Sequence, residues 1–155
     1  MAKDTAPKPV TAISLTAARL TIAATVTFLT LYIVLHIIKP EVDPTWNTTS
    51  EYAIGRHGWI MVIAFLAQAF SYATLFVAIK SQIRTIPGLI GLGLLLLGAV
   101  AMTVGGAFIA DPITTPQDAL STRGTIHGMG AGLGMLAIPL AALIVSVSLV
   151  RNNQA

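Results

Sequence analysis

The sequence predicts an all-α integral membrane fold, a single transmembrane domain over 1–155 built as a bundle of four antiparallel helices. Three observations predict it. Four apolar runs each approach the roughly 20 residues that cross about 30 Å of hydrocarbon. Hydrophobic residues make up 55% of the chain and charged ones only 10%, where a soluble domain carries roughly 25% charged residues to cover its surface. Finally, charge or helix breakers close every run.

The expected spans are about 14–38, 58–79, 86–110 and 125–150. The first enters at Ser14, is uniformly apolar from Leu20, and stops at Lys39-Pro40, because the residue before a proline is pushed out of helical conformation. Its apolar stretch exceeds the roughly 7–15 residues of a signal-peptide core, and no small-x-small cleavage pattern follows, so it reads as a retained span. Gly58 to Ile79 forms the second span and ends at Lys80. The third, from Ile86, ends at Asp111-Pro112. The fourth, from Thr125, ends at Arg151, with Pro139 placed to kink it near mid-bilayer. Short connections make the topology up-down-up-down.

Charge sets the expected orientation. The net charge is +3, but the basic residues are scattered and form no patch suited to nucleic acid. Lys80 and Arg84 in the second connection, Arg151 after the fourth span, and Lys3, Lys8 and Arg19 against Asp4 at the start lie on one side. Glu41, Asp43, Glu51, Asp111 and Asp118, offset by Lys39, Arg56 and Arg123, lie on the other. Positive-inside reasoning puts both termini in the cytoplasm of a cell-membrane protein. The loops 39–57 and 111–124 then face outward, with Trp46 and Trp59 at the outer boundary. Asn47-Thr48-Thr49 is formally a glycosylation sequon.

The absence of cysteine excludes disulfides and thiolate chemistry. Phosphate-binding loops, nucleophile elbows and HExxH patterns are also missing. Transport is poorly supported, because no charge lies at mid-membrane depth. Small residues mark the packing faces: Gly128, Gly130, Gly132 and Gly134 on helix four, and Gly91, Gly98, Ala101, Gly105 and Gly106 on helix three. These faces serve the bundle itself, or they dock a partner subunit or a second copy.

Polar residues near a membrane are costly to place, so the few present carry the functional argument. His36, His57, Asp111 and His127 fall one per helix at the outer ends. Imidazoles with a carboxylate are the ligand set of zinc or another divalent metal, and such a site can activate water against a lipid ester or amide. Glu51, Asp111 and His127 are the candidate catalytic groups. The same cluster suits a cation or a lipid headgroup. A haem b between two histidines fits less well, since His57 and His127 lie near the membrane edge. The spacing puts His57, Met61, Ala64, Gln68 and Tyr72 on one inward face of helix two. Thr25, Phe28 or Leu29, Tyr32 and His36 likewise share a face of helix one. Against these readings stands a structural one, in which the polar cluster ties the outer loops to the helix ends. The chain is then a non-catalytic accessory subunit of a larger membrane complex, and whether it is an enzyme stays open.

The loop sequences carry a resemblance. The first reads Lys39-Pro-Glu-Val-Asp-Pro, then Ser50-Glu51-Tyr52-Ala53-Ile54-Gly55 and a Gly58-Trp59 entry into helix two. The second reads Phe108-Ile-Ala-Asp111-Pro112, then Thr122-Arg-Gly124-Thr-Ile-His127. In this order they resemble the bacterial and archaeal membrane family catalogued as domain of unknown function 998, over essentially the whole chain. The resemblance implies a polytopic prokaryotic protein and matches Ser50, Glu51, Asp111 and His127 to the family's recurring polar positions. It implies no established activity. Members commonly show about six spans, so a partner subunit or homodimer is expected to complete the walls of any pocket.

Overall fold

A computed structural model describes residues 11–154; Lys3, Asp4 and Lys8, on which part of the charge argument rests, lie outside the described residues. The described residues form four α-helices, α1 Ala12–Ile38, α2 Gly58–Ile79, α3 Ile86–Ala107 and α4 Thr122–Gln154, with short 3-10 turns at Thr49–Ala53, Lys80–Gln82 and Gln117–Ala119. Among the described residues there is no strand. All four helices are long and apolar enough to cross a membrane. At 1.5 Å per residue even the 22 residues of α2 or α3 rise about 33 Å.

Local chemistry sets the helix ends. The hydroxyls of Thr11 and Thr85 accept from the amides of Ser14 and Gly88, both at 3.2 Å, and a proline occupies the first turn of α3. Where the sequence predicts a third span to residue 110, α3 stops at Ala107, because Phe108 turns to extended backbone (φ −121°, ψ 115°). The fourth helix begins three residues earlier than expected. Ser121 supplies the reason, its hydroxyl accepting from the Gly124 amide at 3.0 Å as an N-terminal cap. Pro139 lies inside α4, which remains helical on both sides of it.

The helices pack in chain order, α1 on α2, α2 on α3 and α3 on α4. The result is a row with α2 and α3 at its centre; the flanking α1 and α4 make no comparable contact with each other. Burial follows this order, from 44% of the apolar core of α2 down to 11% of that of α1. Ile22, Ile33, Ile90, Val100, Leu136 and Leu143 are among many large apolar side chains left exposed, which suits a hydrocarbon surround and not water.

Two kinds of contact hold the row. Between α1 and α2, Thr25 Oγ1 pairs with Ser71 Oγ at 2.7 Å and Thr21 Oγ1 with Thr74 Oγ1 at 2.9 Å. In lipid, where apolar burial gives helices no drive to associate, such bonds contribute about 0.6–2 kcal/mol each. Between α3 and α4 the contact is steric. A Cβ on Gly98 would lie 2.7 Å from Ile138, one on Gly91 2.9 Å from Val145, and one on Gly130 2.7 Å from Val104. These glycines let the two backbones approach. Gly128 and Gly132 differ, since a Cβ there would meet nothing within 4 Å.

The inward face expected on α2 is present over Met61, Ala64 and Gln68, all buried. Gln68 turns inward, and its Oε1 has no hydrogen-bond partner. Met61, Ala64 and Phe65 join Leu35, Tyr52 and Ile60 in an apolar cluster beneath the two long loops. A smaller cluster of Ile83, Leu92 and Val145 lies toward the opposite end.

Candidate functional site

The end of the row that carries residues 39–57 and 108–121, the two-loop end, collects most of the polar side chains. Its first support is Lys39, the residue after α1. Only 2% exposed, its ammonium donates to the carbonyls of Tyr52, at 3.0 Å, and Ile54, and Glu41 lies 3.9 Å away. Lys39, counted above as loop charge, is therefore a buried strut under the 3-10 turn. Tyr52 packs beside it, donating its hydroxyl to Val42 O at 3.3 Å, and burial pushes its phenol pKa up. At the rim, the Thr45 hydroxyl and amide both donate to Asp43 and hold its carboxyl below the usual carboxylate range.

Glu51 ties the two loops together. It is 7% exposed. Oε1 accepts from the amides of Thr48 and Ile113 at 3.2 and 3.3 Å, and Oε2 from the Asn47 side chain at 2.6 Å. A carboxylate so buried is tolerated because donors meet it, and those donors occupy the oxygens a proton acceptor would use. Asp111 works similarly at the next junction. Its two oxygens accept from the Ser121 amide at 2.7 Å and the Ser121 hydroxyl at 2.9 Å. This sets a negative charge at the positive end of the α4 dipole.

The three histidines have separate surroundings. His36 is exposed, with Nδ1 2.8 Å from Tyr32 O and its ring against Tyr32 and Tyr52 at 4.5 and 4.8 Å. His57 precedes α2 in left-handed conformation (φ 63°, ψ 4°), which takes it out of the helical stripe that spacing assigned it. His127 is 4% exposed. Its Nδ1 lies 2.7 Å from Phe108 O and its Nε2 2.8 Å from Ser50 Oγ, with the ring packed toward Phe65.

That last arrangement fixes the tautomer of His127. A carbonyl oxygen only accepts, so Nδ1 carries the hydrogen. In the neutral ring Nε2 is then the lone-pair nitrogen, and the half-buried Ser50 hydroxyl donates to it. Chemically this is a hydroxyl paired with a base that a third group orients.

His36, His57, Asp111 and His127 therefore share an end of the molecule without converging on one point. Among the described residues no group of three or more His, Asp or Glu is placed to hold a metal ion. Two partnerships escaped sequence reasoning: Ser50 with His127, and Ser121 with Asp111. Ser50 stood in the first-loop motif quoted above, but only the fold brings that loop over the start of α4. Trp46 and Trp59 flank the motif in sequence and are 70% and 63% exposed.

A family model described as Protein of unknown function (DUF998) matches residues 22–155. No curated protein and no solved structure matches the chain.

Proposed function

The chain belongs to the DUF998 family, described only as proteins of unknown function, and we propose that this multi-pass membrane protein engages the headgroup region of a lipid at its two-loop end, through Ser50 and His127. The observation that carries the reading is the Ser50–His127 hydrogen bond of 2.8 Å. Burying an imidazole costs desolvation that an apolar residue in its place would not. Its hydrogen-bond partner Ser50 is only partly buried, between that imidazole and the surface.

The exposed Trp46 and Trp59 support a lipid ligand, because indoles settle at the level of headgroups and glycerol esters. Exposed Arg56 and Arg123 add positive charge at the same end for a phosphate. Between the two ligand classes that the sequence suggests, a headgroup fits better than a metal cation, whose ligands must meet within about 2–2.5 Å of one point. In this reading the two-loop end faces out of the cell membrane and both termini are cytoplasmic, as the balance of Lys80, Arg84 and Arg151 against the acidic loops supports.

The test is a titration of the detergent-solubilised protein with dihexanoyl phosphatidylglycerol, followed by the His127 ring carbon resonances. A saturable shift that Ser50→Ala abolishes is expected. No saturable shift, or one that detergent monomer reproduces, would contradict the reading.

The second reading, an accessory subunit docked through the glycine faces of α3 and α4, is narrowed by packing. The glycines of α3 that face α4 are occupied by it, whereas Gly128 and Gly132 stay open. A larger assembly would use that strip, and Gly132→Leu would then change the particle size in mild detergent.

A further inference from the structure

We infer that Ser50 and His127 form a nucleophile–base pair that cleaves the carboxylic ester of a membrane amphiphile. The inference rests on the headgroup reading of this end and adds a reaction to it. Three observations on the pair itself carry it. Ser50 Oγ lies within proton-transfer distance of His127 Nε2, at 2.8 Å. The ring cannot present the wrong nitrogen, because Phe108 O at 2.7 Å holds the hydrogen on Nδ1. The base is buried and Ser50 only partly so, which gives water little access to the imidazole while the serine lies at the edge of the buried region. The third member is a backbone carbonyl where a carboxylate would serve in a full triad, which orients the imidazole but stabilises its cation less.

The steps balance with water as the only co-reactant. His127 Nε2 takes the Ser50 hydroxyl proton as Oγ bonds to the ester carbonyl carbon. The bond from that carbon to the alkoxy oxygen breaks, and the imidazolium returns the proton to the departing alcohol. Water then gives a proton to Nε2 and bonds to the acyl carbon. The bond to Oγ breaks, Oγ recovers the proton, and a carboxylic acid leaves. The substrate class follows from the residues that flank the motif in sequence: exposed Trp46 and Trp59 favour the boundary level at which glycerolipid esters lie.

The experiment exposes the full chain in detergent to a biotinylated alkyl fluorophosphonate and maps the adduct by mass spectrometry. Label on Ser50 is expected, reduced roughly 100-fold or more in a His127→Gln variant that still melts cooperatively. Ser50→Ala should take no label while keeping its fold. A folded wild type with no label on Ser50 overturns the inference, as does equal labelling of folded His127→Gln. The lipid titration separates the two claims. A saturable dihexanoyl phosphatidylglycerol shift without label overturns the ester chemistry alone. Label without that shift supports the reactive pair and overturns the headgroup reading.

Discussion

His127 Nε2 and Ser50 Oγ, 2.8 Å apart, join the start of α4 to the first loop across 77 residues of sequence. The same ring holds the end of α3 through Phe108 O. One side chain thereby gathers three segments that the chain visits far apart. Around it, Lys39, Glu51 and Asp111 each bind backbone groups of a loop or helix start, so the pair sits in a frame held from several directions.

Lys39 should prove structural. Replacing it by methionine keeps the buried chain but leaves the carbonyls of Tyr52 and Ile54 without their donor. A loss of about 2–6 kcal/mol is expected, from roughly 1–3 kcal/mol for each of the two stranded acceptors. Chemical unfolding in detergent checks this, and a Lys39→Met variant as stable as the wild type would contradict it.

Asp111 and Gly124 should be coupled. Asp111→Ala removes the acceptor for Ser121 and the favourable charge at α4, a cost of about 1–2 kcal/mol. Gly124→Ala drives a methyl into the Asp111 carboxylate and should also destabilise. In the double variant the clash with the carboxylate is gone, so the combined loss should fall short of the sum. A double-mutant cycle measures the difference, and strict additivity would refute the contact.

The glycines should divide into two classes. Gly98→Leu forces bulk against Ile138 and should cost about 1–3 kcal/mol or more by overpacking. Gly132→Ala enters open space and should be neutral or stabilising by up to about 1 kcal/mol through helix propensity. Thermal melts of the two variants side by side test the division. Equal destabilisation would contradict it.

Orientation is open to direct labelling. Pro44→Cys at the two-loop end and Ser81→Cys in the opposite connection supply unique thiols, since the chain has no cysteine. With a membrane-impermeant maleimide on intact cells, Pro44→Cys should react and Ser81→Cys should react only after lysis. The reverse pattern would invert the proposed topology.

Much of this was legible in the sequence. Apolar run length alone specifies four helices, because a hydrocarbon layer demands a fixed rise per span. Spacing also identified the inward Met61–Ala64–Gln68 face. The limits of α3 and α4 were less legible, because Asp111 reads as the end of one helix whereas it binds the cap residue of the next. The serial packing was invisible, since an inward stripe says which face of a helix is covered and not which helix covers it. The candidate site was half legible. Topology puts the histidines at one end of the molecule, but a metal set needs side chains that converge, and that depends on rotamer and loop path. His57 leaves its stripe through one left-handed residue, and Ser50 meets His127 because the Thr49–Ala53 turn folds back over α4.

The most direct test of the central claim is the tautomer of His127, read from its imidazole nitrogen shifts in protein labelled with nitrogen-15 at histidine. Nδ1 should be the protonated nitrogen and Nε2 the lone-pair nitrogen, and Ser50→Ala should shift Nε2 while leaving Nδ1 bonded to Phe108 O. A neutral His127 with its hydrogen on Nε2, or an Nε2 signal indifferent to Ser50→Ala, would contradict the account.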